Sequence, residues 1–450
     1  MIQLLFLLLG PAALKPVWRT LTAAGVIWML FGVAILFDLS DGRLWILLDT
    51  LAIFLAIEGL VEFLSALSSG IRRYWIDAVR GLAFLLAAFL VLNVPWDDNI
   101  GAAIVFGTAF LIDGLFRIGS ALTVHSSRWR IGVVAGAIEI LLAVAILASW
   151  PVPHLLTVPF CFALLLLTSG YALVRLALPL RDLPEGGSVT ALPLYAARNW
   201  QRGAIPAMIS PAEDRWNSEG EELNVLVWTA TGSIADPHRR ILIDRYIAAV
   251  DKKGVISTGH AALEMLPDVY VSHYPANDID HNPDDFRALL SAGHENDVPG
   301  RFNESLEKEA AAWCMPDQKV TFHRFRPEAV RSFWTFYSHD KTYNLTARNC
   351  STTVIQVLDA ATEGASYKGR LLHDLFVLLS NPQFWLLRVV RGRAEAMTWT
   401  PGLVLDYARL LHEIVENGEQ RWRRKIRNAR QMRKVFEPGQ ERVARKAEPE

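Results

Sequence analysis

Cysteine is scarce in this chain: three residues among 450, Cys161, Cys314 and Cys350, an odd number with no paired spacing. That count argues against a disulfide framework or a structural zinc site, and it suits a reducing compartment. Net charge is nearly absent too, at -1, and the basic residues gather from Arg421 to Arg445 rather than on a recognition helix, so nothing points to nucleic acid. The first ten residues, Met1 to Gly10, lack a basic n-region, and Gly10-Pro11 breaks them before they reach bilayer length. They are expected to form an interfacial lead-in rather than a signal peptide.

What is present is unevenly spread. A composition of 52% hydrophobic and 20% charged residues averages a very apolar front onto a polar back. A helix needs about 20 mainly apolar residues to cross a bilayer, and six stretches qualify. They are Trp18–Phe37, Trp45–Leu67, Trp75–Asn93, Ile100–Leu122, Ile131–Trp150 and Leu155–Ala177. Glycines recur in them at a step of 55 or 56 residues: Gly25, Gly81 and Gly136 in one series, Gly59, Gly114 and Gly170 in the other. Small residues let membrane helices approach closely, so the repeat predicts three tandem helical hairpins in an all-α polytopic domain, residues 1–180. This pattern resembles the HdeD-like family of small bacterial membrane proteins.

Arginine and lysine set the orientation. Lys15, Arg19, Arg72, Arg73, Arg128, Arg130, Arg175 and Arg181 fall on one side and the aspartates Asp38, Asp41, Asp97 and Asp98 on the other, which places both termini and the soluble part in the cytoplasm of a bacterial inner membrane. Glu58, Glu62, Asp113 and Glu139 are costly in hydrocarbon and should face the bundle interior, as hydrogen bonds between helices or, through Glu58 and Asp113, as part of a proton-linked transport path.

Beyond residue 180 the composition changes. Pro184, Gly186, Gly187 and Pro193 mark a linker, 181–222. Asn224 to Thr231 reads as a buried strand, Asp236-Pro237 as the start of a helix running to about Val250, and His260–Leu266 and Asp268–Tyr274 as two more strands. Asn349 through Ala361 has helical spacing, with Cys350 in its first turn. Strands and helices in this order predict a cytoplasmic α+β domain, 223–365, followed by a helical region with a basic tail, 366–450.

A cysteine at a helix start can be ionised by free N–H groups and the helix dipole, and a histidine can serve as its base. His260 in STGHAALEM and His273 in VYVSHYP precede Asn349-Cys350. That order resembles the circularly permuted papain-like thiol enzymes of the NlpC-like superfamily, which include lecithin:retinol acyltransferase. The resemblance covers about residues 223–363 and rests on GHAAL and NCSTTV. It implies Cys350 as nucleophile, His260 as general base and His273 as the third, polar member, with Glu264 or Asp268 as alternatives for that role; a long insertion, His281 to Phe336, separates the halves. The implied chemistry is acyl transfer through a thioester, on a lipid, lipid-linked or peptide substrate. It calls for no cofactor and leaves the oligomeric state open.

Three other expectations complete the reading. His273, Asp278, Asp280, His281, Asp284 and Asp285 crowd into a short stretch, but their spacing fits no familiar zinc pattern and reads as a solvated loop, so no metal is expected. Leu371–Val390, interrupted at Asn381-Pro382, lies on the bilayer surface or covers the domain core. A non-catalytic HdeD-like stress protein whose soluble domain binds a partner is the alternative to an enzyme.

Overall fold

A computed structural model describes residues 1–39, 75–91, 100–125, 129–192, 216–229, 249–250, 256–277 and 290–416, apart from a few positions within them, together with scattered helical positions between 53 and 64. The chain divides into two units, residues 1–43 with 98–416 and residues 44–97 with 417–450.

Helix α1 (Ile2–Leu14) corrects the first expectation. Leu4 to Leu9 are all buried, in the same core as the strands and helices of the α+β domain. The reason lies in Gly10-Pro11. Pro11 has no N–H to give the Leu7 carbonyl, and Gly10 leaves helical geometry at φ +72°. The freed carbonyls of Leu7 and Leu8 instead accept from the Gly364 and Ser366 N–H groups at 2.8 and 2.9 Å. The segment is a core element rather than an interfacial lead-in.

Four apolar helices of the first unit, α2 (Trp18–Asp38), α4 (Ile100–Val124), α5 (Trp129–Leu147) and α6 (Thr157–Leu180), have the length and hydropathy to cross a membrane. In the second unit α3 (Trp75–Val91) follows helical positions around Gly59. Exposed Ile131, Val134, Ile138 and Leu141 form one apolar stripe along α5, as a lipid-facing surface requires. These helices support a multi-pass, membrane-embedded protein. The expected span Trp45–Leu67 falls mostly outside the described residues.

The repeated glycines meet in pairs. A Cβ on Gly114 would stand 2.7 Å from the Gly136 carbonyl oxygen, and one on Gly136 the same distance from that of Gly114. Gly25 and Gly170 interlock likewise, at 2.9 and 2.5 Å, as do Gly59 and Gly81, at 2.9 and 2.8 Å. Each pair lies within one unit: Gly59 with Gly81 in the second, Gly114 with Gly136 and Gly25 with Gly170 in the first. Arg117 of α4 ties α4 to α5, donating to Asp113 at 2.8 Å and to Glu139 at 3.0 Å. Glu58 and Glu62 lie outside the described residues.

Leu173, Leu176, Ala177 and Leu180 at the end of α6 are buried in the core that holds α1. The expected linker is partly core as well: Leu183, Val189 and Leu192 are buried, and Glu363 accepts from the Val189 N–H and the Ser188 hydroxyl. Residues 193–215 of that linker lie outside the described residues.

The domain is built on strand β1 (Leu223–Trp228), and a short pair, β2 (Ala249–Val250) with β3 (Ile256–Ser257), follows. The helix expected after Asp236 lies mostly outside the described residues, and its last two positions are strand. Next come β4 (His260–Met265), β5 (Val269–Val271), β6 (His273–Pro275), β7 (Val298–Phe302), helix α7 (Leu306–Ala312), β8 (Gln318–Phe322), α8 (Pro327–Tyr337) and β9 (Thr342–Tyr343). The main sheet runs β5-β4-β1-β8, antiparallel throughout, and a smaller one runs β6-β7-β9. The run read as one strand from Asp268 to Tyr274 therefore splits between two sheets at Ser272. The presumed insertion, 281–336, is not peripheral, since β7, α7, β8 and most of α8 come from it.

Helix α9 (Cys350–Thr362) is buried along its whole length, with Val354, Ile355, Val357 and Leu358 against Val225, Val227, Ala261 and Leu263. The other face of the sheet carries Leu226, Trp228, Ala262 and Tyr270, with Leu306 of α7 packed on them. Helices α10 (Leu371–Leu379), α11 (Pro382–Ala396) and α12 (Pro401–Val415) complete the description. The basic tail from Arg421 lies outside it.

Candidate functional site

Cys350 occupies the first position of α9, as its sequence context implied. The cap is Asn349. Its side chain accepts from the Thr352 N–H at 2.8 Å, and the Thr352 hydroxyl accepts from the Asn349 N–H at 2.8 Å, a reciprocal capping box. Asn349 is held in turn by donating to the Leu345 and Trp399 carbonyls. Two neighbouring links thus fix where the sulfur sits.

His260 opens β4 after Gly259, whose φ of +69° makes the turn into the strand. Its ring lies between Tyr274, stacked at 4.1 Å, and Trp228 at 5.3 Å. Nε2 lies 3.0 Å from Ser272 Oγ and 3.3 Å from Glu309 Oε1. Glu309 is almost fully buried, yet it accepts from Ser272 at 2.7 Å, Tyr270 at 2.7 Å and Tyr274 at 2.9 Å. Burial pushes its carboxyl up, but the neighbouring imidazole and these donors outweigh burial and hold it below the usual value.

The tautomer of His260 follows. Glu309 is ionised and offers no proton, and Ser272 spends its own proton on Glu309, so each can only accept from the imidazole. Nε2 therefore carries the hydrogen and Nδ1 bears the free lone pair. That is the form in which a histidine can take a proton from a thiol.

The sulfur approaches from the other face. The Ala261 N–H, one residue after His260, favours the Cys350 thiolate, and Ser351 Oγ lies 3.8 Å from Sγ. The site thus straddles the end of β4, with the thiol supplied by α9 on one face and the carboxylate by α7 on the other. Burial pushes the Cys350 thiol up despite these donors, and burial lowers His260 to about 4 although Glu309 opposes the shift. No hydrogen bond joins Cys350 Sγ to the His260 ring: the imidazole meets Ser272 and Glu309 on one face of β4, the thiol lies on the other, and each rests uncharged.

His273 is not placed against the His260 ring nitrogens. It packs among Phe302, Tyr337 and Tyr343; its Nδ1 lies 3.4 Å from Thr353 Oγ1, and Nε2 has no hydrogen bond of ordinary geometry. Thr353 also donates to the Asn349 carbonyl and meets Tyr337 Oη at 2.9 Å, so His273 braces the first turn of the cysteine's helix. The groups that meet His260 Nε2 are instead Ser272 Oγ and Glu309 Oε1. Of the alternatives, Asp268 is paired with Arg331, and Glu264 lies four residues along β4 from His260.

A cleft of about 520 Å³ opens beside the imidazole, lined by His260, Tyr274, Phe302, Asn303, Glu309 and Trp313 among others, with Arg301 and Lys308 also on its wall. Cys350 does not line it. The acidic stretch Asp278 to Asp285, weighed for metal, lies outside the described residues.

Sequence reasoning missed Glu309 and Ser272. Glu309 sits in NESLEKEAAAW beside Glu304 and Glu307, with nothing in the sequence to single it out. Ser272 had a weak signal, since it directly precedes His273 and sits where the long strand changes sheets. No family model, no curated protein and no solved structure matches the chain.

Proposed function

We propose that the chain is a membrane-anchored cysteine hydrolase or acyltransferase, in which an HdeD-like six-helix module of three tandem hairpins carries a permuted papain-like domain on the cytoplasmic face of a bacterial inner membrane. The observation that carries this reading is the commitment of His260 Nε2–H to Ser272 and Glu309, which leaves Nδ1 basic, while Cys350 opens the helix that packs on the strand His260 begins.

In the reaction, Cys350 gives its proton to His260 Nδ1 and its sulfur bonds to a carbonyl carbon, with N–H groups at the start of α9 stabilising the oxyanion. The bond to the leaving amine or alcohol breaks, and that group takes the proton from His260. The resulting thioester is cleaved by water or by a second acceptor, which transfers its proton back to the imidazole and frees the thiol. A cytoplasmic position removes the cell wall from reach, so the acyl or amide bond belongs to a lipid, a lipid-linked molecule or a peptide at the inner leaflet.

A thiol-directed probe tests the reading. Labelling of Cys350 in preference to exposed Cys314, lost in His260→Ala, is the expected result; labelling indifferent to His260 removes the mechanism. A topology reporter at the C-terminus tests the substrate class, because an outside location returns the cell wall as target.

A second reading has its own support. Cys350 lies off the cleft, and burial keeps both it and His260 neutral, as suits a domain that binds a partner without chemistry. Under that reading Cys350→Ser leaves the biological effect intact.

A further inference from the structure

Helices α10 and α11 have two faces of opposite character from the usual pair. Toward the domain they present Leu378, Phe384, Leu387 and Ala394, all buried in the core, together with buried Asp374 and Arg391. Both charges are satisfied there: Asp374 accepts from the Lys368 and Arg370 N–H groups, and Arg391 forms a two-pronged pair with Asp359 at 2.7 and 2.9 Å. Away from the domain stand Leu372, Phe376, Trp385, Leu386 and Val389, with Leu372 81% and Val389 65% exposed. A helix facing water carries polar residues on this side. Large apolar residues on two consecutive helices mark a surface with an occupant.

The position of α11 identifies that occupant. The Arg393 guanidinium stands 5.9 Å over the ring of Phe116 on α4. Phe116 precedes the domain end of that helix, Val124, by eight residues, about 12 Å of helix. Val124 itself accepts from the Ala292 N–H at 2.7 Å and packs on Ala292 and Ala347, so this end of the span is docked on the domain. The exposed apolar face therefore continues from the flank of a membrane-crossing helix at the level where hydrocarbon gives way to headgroups. Lys368, Arg370, Arg388 and Arg393 border it, the side chains that reach toward lipid phosphate from such a depth.

We propose that α10 and α11 form an interfacial anchor seated in the boundary between headgroups and acyl chains of the bilayer that the spans cross. Leu372, Phe376, Trp385, Leu386 and Val389 lie among the acyl chains, and the flanking cations meet anionic headgroups. The domain is thereby fixed against the leaflet over a helical face instead of hanging from the ends of α2 and α6. The anchor does not depend on the chemistry proposed for Cys350.

Spin labels on the full-length protein in nanodiscs of phosphatidylcholine and phosphatidylglycerol test it. The labels are introduced as Leu372→Cys, Phe376→Cys or Val389→Cys in a background carrying Cys161→Ala, Cys314→Ser and Cys350→Ser, with Lys319→Cys on β8 as the water-facing reference. All four sites are partly or fully exposed, so the fold tolerates them. The expected result is a ratio of oxygen to nickel-chelate collisions about fivefold above the reference at all three sites, as burial in acyl chains requires. A ratio equal to the reference overturns the anchor. So does dipolar broadening between labels on separate chains, which assigns the face to a second copy.

Discussion

His260 Nε2 and Glu309 Oε1 stand 3.3 Å apart, each side chain 3% exposed, and Ser272 bridges them by accepting from one and donating to the other. A buried carboxylate at this point fixes which imidazole nitrogen carries the proton. Glu309→Gln keeps the shape but supplies an N–H donor and removes the charge, so the preference for a proton on Nε2 is lost. The expected outcome is a drop of about tenfold or more in probe labelling of Cys350, the lower range of a general-base effect. The same substitution costs about 1–3 kcal/mol of domain stability through weakened hydrogen bonds from Tyr270, Tyr274 and Ser272, read by denaturant midpoint. Labelling at the parental rate in a folded variant separates Glu309 from the site.

Acid weakens the domain through its buried histidines. Burial lowers His260 to about 4 and His273 to about 3, where Arg348 adds to the effect, against 6.5 in the unfolded chain. Between those values the unfolded chain binds protons that the folded chain does not, so stability falls as pH drops through 6.5 toward about 4 for His260 and about 3 for His273. The loss from His260 alone is on the order of 3 kcal/mol by pH 4. Glu309 acts in the same direction, because its depressed value is lost as pH falls through it. Denaturant unfolding at pH 7.5, 5.5 and 4.5, compared with His260→Gln, checks the slope: the variant should be flatter across this range.

The capping box supports the nucleophile and the fold at once. Asn349→Ala removes an N-cap worth about 1 kcal/mol and frees the Cys350 turn from the Leu345 and Trp399 carbonyls. Thr398, which donates to the Thr346 carbonyl and accepts from Asn349, gives a milder variant. Thr398→Val should leave the unfolding midpoint nearly unchanged while slowing Cys350 labelling; the opposite order of effects argues against this support.

Glycine substitutions separate helix contact from helix propensity. Gly114→Val and Gly170→Val each drive a side chain into the carbonyl of the facing glycine, whereas Gly119 has nothing within 4 Å of a built Cβ. Thermal unfolding in detergent should fall by several degrees for the first two and stay level for Gly119→Val, because only the former prise two backbones apart.

The N-terminal helix is tested as a core element. Leu7→Ala removes a fully buried side chain and should cost about 2–5 kcal/mol, like any large-to-small change in a core. An effect near zero restores the interfacial reading. Since α1 and the end of α6 share one core, reporters placed before α2 and after α6 should answer from the same side of the bilayer.

Much of the membrane half was legible because hydrocarbon imposes a simple rule on composition and length. The glycine periodicity was legible too, since close helix approach admits no other residue at 2.5–2.9 Å from a facing carbonyl. The pairing of those glycines was not, because a repeat of 55 or 56 residues is equally compatible with joining each helix to its successor or its predecessor. In the soluble half, a short β-branched run revealed β1, and apolar spacing revealed α9 to within a residue or two of its ends. The split of 268–274 into two sheets was hidden, since a local pattern does not record which partner strand takes each residue.

By itself the sequence determined the division into an apolar helical part and an α+β part, the helix that opens at Cys350, and the strand that opens at His260, all consequences of local pattern acting through solvent. Only tertiary structure decided that residues 4–9 belong to the domain core, that Glu309 and not His273 faces the imidazole, and that the thiol and the imidazole rest uncharged. Each of those depends on which distant atoms exclude water from a group and which donors replace it. Chains fold on such long-range burial, and no stretch of neighbouring letters contains it.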